Sequence, residues 1–246
     1  MDAIKLVIFD VAGTIVEDRG EVLDAFAEAL DKHGIPHTDA ELKEWKGASK
    51  LEVIRYFVQR NGPADEQTVA AVYADFRGGL ESHYRENGVH PIAGAAGTFS
   101  WLKARGIQIA TTSGFYREVS ELILEKAGWL ELFAARVSSS DVSMGRPAPF
   151  MIFRAMEGAG VTRVAEVMNV GDTPLDLQAG TNAGVREVVG VLSGLHERER
   201  LQREPHTCLL ASVADLPTWM ERREGRATAQ SMGQHEAAVP TRAVAD

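Results

Sequence analysis

The chain has 246 residues, 45% hydrophobic and 25% charged, which is enough for one large domain or for a core with a smaller insertion. Its formal net charge of −9 argues against general nucleic-acid binding, which needs many cations along a phosphate backbone, but not against a small anionic substrate. The single cysteine, Cys208, excludes an internal disulfide and a cysteine-based zinc site, and the lack of a signal peptide or a membrane-spanning apolar run predicts a cytoplasmic protein.

Short apolar, β-branched runs recur along the chain, and helical patterns separate most of them. The first run ends in a polar turn, which is typical of a buried parallel strand. Strands that alternate with helices predict a parallel sheet covered on both faces. The predicted strands are residues 4–9, 107–112, 134–138, 166–170, 187–192 and, more weakly, 207–210.

Residues 17–90 break this alternation, because they carry little strand signal and several helical patterns. Val22, Phe26, Ala29 and Leu30 share one helix face. Capping-box patterns that begin at Thr38 and at Ser49 indicate two further helix starts.

These patterns predict an α/β protein with a Rossmann-like parallel-sheet core and an all-helical cap inserted after the first strand. The core comprises residues 1–16 and 91–222, and the cap comprises residues 17–90. Residues 223–246 are small, polar and charged without periodicity, so we predict a disordered tail.

Polar residues gather at the predicted strand ends, where open α/β sheets place their active sites. Asp10 directly follows the first strand, and its carboxylate there could attack phosphorus and bind Mg²⁺. Asp172 and Asp176 add further carboxylates, which are the hard oxygen ligands that Mg²⁺ prefers. Each aspartate alone also fits an ordinary turn or helix start. Their joint position at the strand ends favours a functional site.

Groups that could bind a phosphoryl anion accompany these aspartates. The Ser113 hydroxyl and the Gly114 amide can donate hydrogen bonds to its oxygens, and Arg146 supplies a fixed positive charge. Gly13 lets the backbone approach the anion closely, and Thr14 follows it in the same turn. The sequence therefore predicts phosphoryl chemistry with Mg²⁺ at this edge of the sheet.

With these motifs, the sequence resembles the haloacid dehalogenase superfamily, in the subgroup with a helical cap after the first strand. Within it, the sequence is most similar to the phosphonoacetaldehyde hydrolase (phosphonatase) group. The resemblance covers residues 4 to about 220. The matching segments are FDVAGT at 9–14, GRPAPFM at 145–151, GDTPLD at 171–176, NAG at 182–184 and VGVLSG at 189–194.

The resemblance implies a Mg²⁺-dependent hydrolase that forms an aspartyl-phosphate on Asp10. Asp10, Asp172 and the backbone carbonyl of Ala12 would bind the ion, and Asp176 would act through water. The implied partner is a small phosphonate or phosphate substrate, with neither nucleic acid nor membrane. The resemblance also makes a homodimer an expectation, for which the residues themselves give no signal.

Ala12 bears on the reaction type. Most phosphatases of this superfamily carry a second aspartate at this position, which protonates the leaving alkoxide; such help is worth about 10²–10⁴-fold. Phosphonatases instead use a cap lysine that forms a Schiff base with the substrate aldehyde, so that an enamine leaves. Lys50, in the segment Gly47-Ala-Ser-Lys50, has the spacing of that lysine.

Two other interpretations of Lys50 stay open, an anion contact of the kind seen in sugar-phosphate mutases and phosphatases, and a solvated helix lysine. The chain also departs from phosphonatases, since Lys46, Val53 and Phe115 replace a methionine, a histidine and a tyrosine. We predict cleavage of the C–P bond of phosphonoacetaldehyde or a related phosphonate. The alternatives are a phosphomonoesterase acting on a small metabolite and a non-catalytic module that binds one.

Overall fold

The computed structural model describes residues 3–45, 48–62, 66–194 and 196–225. Its strands are β1 (Leu6–Phe9), β2 (Gln108–Ser113), β3 (Ala135–Ser138), β4 (Val167–Gly171), β5 (Glu187–Val191) and β6 (Cys208–Leu210). Its helices are α1 (Glu21–Lys32), α2 (Asp39–Glu44), α3 (Lys50–Arg60), α4 (Glu66–Asn87), α5 (Ala95–Ala104), α6 (Arg117–Lys126), α7 (Phe150–Gly158), α8 (Pro174–Ala183) and α9 (Arg198–Leu201).

The six strands form one parallel sheet in the order β3-β2-β1-β4-β5-β6. Every residue of β1 is buried, as a central strand covered on both faces requires. Leu6 and Ile8 pack in one core cluster with α7 and α8, whereas Val7 and Phe9 pack in another with α5 and α6. Side chains that alternate between two apolar layers confirm the predicted α/β fold.

Four helices, α1 to α4, follow β1 and form the helical insertion of the fold. The predicted face of α1 is confirmed, since Val22, Phe26, Ala29 and Leu30 are all buried. The ring of Phe26 stacks on that of Phe76 in α4, with 4.4 Å between centroids. The apolar cluster that begins in β1 continues through these helices, so the insertion packs on the core.

The two predicted helix starts in the insertion have different outcomes. The Thr38 hydroxyl accepts a hydrogen bond from the Glu41 amide at 3.3 Å, as a helix N-cap should. Ser49 does precede α3, but its side chain makes no capping hydrogen bond, so the predicted capping box there is wrong. Ser49 instead lies beside Gly145 of the core. A Cβ built on Gly145 would be 3.5 Å from the Ser49 Cβ.

The chain is helical at residues 216–225. This helix enters the segment predicted as a disordered tail, so the predicted boundary at residue 223 is too early. The rest of that prediction, residues 226–246, lies outside the described residues, as do Lys46 and Gly47 of the cap.

Candidate active site

Three buried aspartates lie together at the carboxyl edge of the sheet. Asp10 follows β1, Asp172 follows the neighbouring strand β4, and Asp176 lies in the first turn of α8. One carboxylate oxygen from each lies within 4.8 Å of those of the other two. The strand order reverses between β1 and β4, so the cluster occupies the position where open α/β sheets bind their ligands.

Arg146, from the loop before α7, is buried among these carboxylates. Its Nη1 lies 2.8 Å from Asp10 Oδ1 and 2.8 Å from Asp176 Oδ1. Its Nη2 donates to the carbonyl and the hydroxyl of Thr112 at 2.8 and 2.9 Å. Because the guanidinium is a planar fork of donors, these contacts fix its orientation as well as its position.

The electrostatics of the cluster favour a divalent cation. Burial raises the pKa of Asp10 to about 6, although the Arg146 charge acts in the opposite direction; the Asp176 charge raises it further. Independently of this shift, the formal charge of one guanidinium does not balance that of three carboxylates. A hard cation would offset the remaining negative charge, and three carboxylate oxygens are ligands that suit it. The donor set fits Mg²⁺.

Three glycines make room for the carboxylates. A Cβ built on Gly13 or on Gly194 would overlap the Asp172 carboxylate, and one built on Gly171 would overlap Asp176. Gly13 also has a φ of +89°, a backbone conformation that favours glycine. Side chains at these positions would displace the aspartates.

The turn after Asp10 carries three predicted site residues, Ala12, Gly13 and Thr14. The Thr14 hydroxyl donates to Asp172 Oδ1 at 3.2 Å, so Thr14 holds a carboxylate in addition to its predicted role. The Ser193 hydroxyl donates to the Gly13 carbonyl at 2.7 Å and ties the turn to the loop after β5. Phosphate binding by Gly13 and Thr14, and metal binding by the Ala12 carbonyl, stay predictions.

Ser113 and Gly114 lie at the end of β2, beside β1. Thr111 is the register partner of Phe9, so the next residue of β2 lies opposite Asp10. Ser113 lies one residue beyond that. The Ser113 hydroxyl oxygen accepts a hydrogen bond from the Phe115 amide at 3.1 Å. The position suits contact with a bound anion, which stays a prediction for both residues.

Lys50 is the first residue of α3 and is only 5% exposed. Its Nζ lies 5.1 Å from the centroid of the Phe115 ring, two residues beyond Ser113. The adjacent Ser49 faces Gly145, the residue before Arg146. The start of α3 therefore lies beside two core segments of the site, and Lys50 is not the solvated helix lysine of the third interpretation.

Several residues that support the site were not predicted. Thr112 orients Arg146, and Gly194 leaves space for Asp172. Thr173 donates to Asp176 Oδ2 from its amide at 3.1 Å and from its hydroxyl at 2.6 Å. Only Thr173 had a readable signal, because Thr-x-x-Asp before a helix is a capping pattern.

Comparisons with known proteins agree with this geometry. The family model of haloacid dehalogenase-like hydrolases matches residues 7–191. The chain belongs to the haloacid dehalogenase-like hydrolase family. A phosphonoacetaldehyde hydrolase from Bacillus cereus is 32% identical over 217 residues, which cover 82% of this chain and 80% of the relative. The predicted resemblance to the phosphonatase group is confirmed, and the protein is a hydrolase.

Two further similarities are to a longer relative and, in fold, to a solved structure. A bifunctional phosphonoacetaldehyde hydrolase/aminoethylphosphonate transaminase from Clostridioides difficile is 32% identical over 219 residues, 82% of this chain but 34% of that protein. The phosphonoacetaldehyde hydrolase-like protein of Oleispira antarctica has the same fold, with a TM-score of 0.79, 24% identity and coverage of 92% and 95% of the two chains.

No helix among the described residues of this hydrolase is long and apolar enough to cross a membrane. Its cytoplasmic location and its assembly as a homodimer stay predictions.

Proposed function

We propose that this hydrolase cleaves the C–P bond of phosphonoacetaldehyde or a related phosphonate aldehyde, with Asp10 as nucleophile and Lys50 as the amine that activates the substrate. The supporting observation is the burial of Lys50 over Phe115, beside a core site in which Ala12 replaces a proton donor. The similarity to phosphonoacetaldehyde hydrolases supports the same reaction.

The proposed reaction begins at the aldehyde. The neutral amine of Lys50 adds to the carbonyl carbon, and loss of water leaves a protonated imine. An Asp10 oxygen then attacks phosphorus. The electron pair of the C–P bond moves toward the iminium nitrogen, which yields a neutral enamine and an aspartyl-phosphate. Because an enamine leaves, no group at the position of Ala12 has to protonate an alkoxide.

The enzyme is then restored in two steps. Water attacks the phosphorus of the aspartyl-phosphate, which releases inorganic phosphate and regenerates the Asp10 carboxylate. Protonation of the enamine carbon gives an imine again, and its hydrolysis releases acetaldehyde and frees the Lys50 amine. Closure of the cap would exclude water until the phosphoryl group has been transferred.

Charge on the phosphonate would be stabilised by groups of the core. Arg146, oriented by Thr112, supplies a fixed guanidinium, and the Ser113 hydroxyl and the Gly114 amide supply hydrogen-bond donors. Gly13, which has no side chain, would let the turn after Asp10 approach the phosphonate closely, and Thr14 lies in the same turn, where its hydroxyl holds Asp172.

Mg²⁺ would be held by carboxylates that already lie together and by a backbone carbonyl of the turn after Asp10. They are Asp10, Asp172 and the carbonyl of Ala12, with Asp176 acting through water. When bound, the ion would offset the repulsion between the Asp10 carboxylate and the anionic phosphonate.

Borohydride trapping tests the proposal. The enzyme with Mg²⁺ is mixed with phosphonoacetaldehyde and reduced, and the adduct is located by peptide mass spectrometry. We expect an adduct at Lys50 in the wild type and in Lys43→Arg, a control on the exposed face of α2. Lys50→Arg keeps the positive charge but cannot form an imine, so it should lose both adduct and C–P cleavage.

The outcome that overturns the proposal is equally definite. If the wild type forms no adduct, while Lys50→Arg still turns over and simple phosphate esters are cleaved, Lys50 is an anion contact. The enzyme is then a phosphomonoesterase.

A further inference from the structure

Phe115 links the cap lysine to the core. Its ring lies 5.1 Å from Lys50 Nζ, within the distance of about 6 Å over which an aromatic face attracts a cation. The side chain is 3% exposed, so little water screens this attraction.

The position of this ring is fixed from several directions. The Phe115 amide donates to the Ser113 hydroxyl oxygen at 3.1 Å, and the Phe115 carbonyl accepts from the amide and the hydroxyl of Ser139, both at 2.9 Å. Tyr84 of α4 packs edge-on against the ring, at 6.5 Å between centroids and 86° between planes. Phe115 thus contacts Ser113, a predicted hydrogen-bond donor to the phosphoryl group, through its backbone. It contacts the cap lysine through its ring.

We propose that Phe115 is a positioning residue that holds the Lys50 nitrogen beside the Ser113–Gly114 turn while the imine forms and until the C–P bond breaks. This inference rests on the proposed function. The aromatic face of Phe115 is the part of this residue that lies against Lys50.

The charge on the nitrogen explains why a ring face suits this task. The resting ammonium is a cation, and so is the iminium that follows the loss of water. The ring therefore attracts the nitrogen in both states and acts on its position rather than on the equilibrium between them. The attraction weakens while the nitrogen is the neutral amine that adds to the carbonyl, and again when the electron pair of the C–P bond neutralises it.

Three changes at position 115 test this proposal in the full-length enzyme with Mg²⁺. Phe115→Leu removes the ring face, and we expect the single-turnover rate of adduct formation and kcat to fall by about 10- to 100-fold, the cost of a misplaced reacting group. Phe115→Tyr keeps the ring face, so the single-turnover rate and kcat should both stay near their wild-type values. Site-specific fluorinated phenylalanines, which keep the shape but weaken the ring's attraction for cations, should lower the rate progressively with fluorine number.

Two measurements separate positioning from a structural role. Inorganic phosphate should bind Phe115→Leu as tightly as the wild type, and Phe153→Leu, an exposed substitution on α7, should keep wild-type kinetics. A wild-type rate in Phe115→Leu, no trend with fluorination, or loss of phosphate binding together with the rate would each overturn the proposal. Absence of any adduct in the wild type would instead overturn the proposed function.

Discussion

The carboxyl edge of the sheet and the start of α3 both bring charged side chains to the candidate site, but they hold them differently. In the core, Arg146 lies within 2.9 Å of polar atoms from Asp10, Asp176 and Thr112. In the cap, Lys50 faces an aromatic ring. The core groups are locked in one arrangement by charged hydrogen bonds, whereas a ring face restrains a cation with much less directionality.

This difference separates the two tasks of the proposed reaction. Attack on phosphorus needs a fixed geometry, and the core network supplies it. The lysine nitrogen has to change from amine to iminium to enamine during the proposed reaction. An aromatic face tolerates these changes. We therefore assign phosphoryl transfer to the core and the choice of leaving group to the cap.

The largest effect is expected from Asp10→Asn, which removes the nucleophile from the core. We expect kcat for phosphonoacetaldehyde to fall by more than about 10³-fold, because an amide oxygen cannot form the acyl phosphate. Binding of inorganic phosphate, followed by calorimetry, should persist. Unchanged turnover would contradict the role of Asp10, and it would equally contradict the division of tasks.

Arg146→Ala should have the next largest effect, because it leaves Asp10 and Asp176 buried without their guanidinium. We expect the free energy of unfolding to drop by about 3–5 kcal/mol, measured by urea titration. The stability of Arg146→Lys should lie between those of the wild type and Arg146→Ala, because one ammonium cannot reproduce the contacts of both Nη1 and Nη2. A loss below about 1 kcal/mol for the alanine variant would show that the core network is not locked as described.

Gly194→Ala tests whether close packing holds Asp172 in place. A methyl group there would overlap the carboxylate, so we expect Mg²⁺ affinity to fall by about 10- to 100-fold, the usual cost of disturbing the groups that orient a ligand. Gly97→Ala, in α5, is the matched control, since a Cβ there meets nothing within 4 Å. Equal Mg²⁺ affinities in the two variants would refute this role of Gly194.

Gly194 is also an example of a site residue that could not be predicted from the sequence. The order of strands and helices follows from apolar periodicity. Asp10 and Asp172 stand out because each lies next to a strand end, and Asp176 follows in the first turn of the next helix. The contacts of Thr112 with Arg146 and of Gly194 with Asp172 join residues more than twenty positions apart, and no local pattern encodes them. The burial of Lys50 likewise depends on how the cap packs on the core.

A smaller effect concerns pH. Because burial raises the Asp10 pKa from 3.8 to about 6, the folded state binds more protons than the unfolded state between these values, and stability from this group falls as pH rises through that window. In chelator, Asp10→Asn should therefore be more stable than the wild type by about 1–3 kcal/mol at about pH 7.5, with the gain disappearing near pH 3.5. A stability difference independent of pH would contradict the raised pKa.

The smallest effect is expected at a second contact between cap and core. Tyr116, next to Phe115, donates from its hydroxyl to Glu81 of α4 at 2.9 Å, and the Arg77 guanidinium lies 4.2 Å from its ring centroid. Tyr116→Phe keeps the ring and removes only the hydroxyl, so we expect a loss of about 1 kcal/mol in unfolding free energy.

A double-mutant cycle with Glu81→Gln isolates that hydrogen bond, because each single variant removes one partner. We expect a coupling of about 0.5–1 kcal/mol, measured by urea unfolding. The same variants should raise KM by less than about tenfold with kcat nearly unchanged, because the contact orients the cap without touching the reacting groups. If Tyr116→Phe instead lowers kcat as strongly as Phe115→Leu, the cap positions Lys50 through α4 as well as through the ring, and the directional contacts assigned to the core extend into the cap.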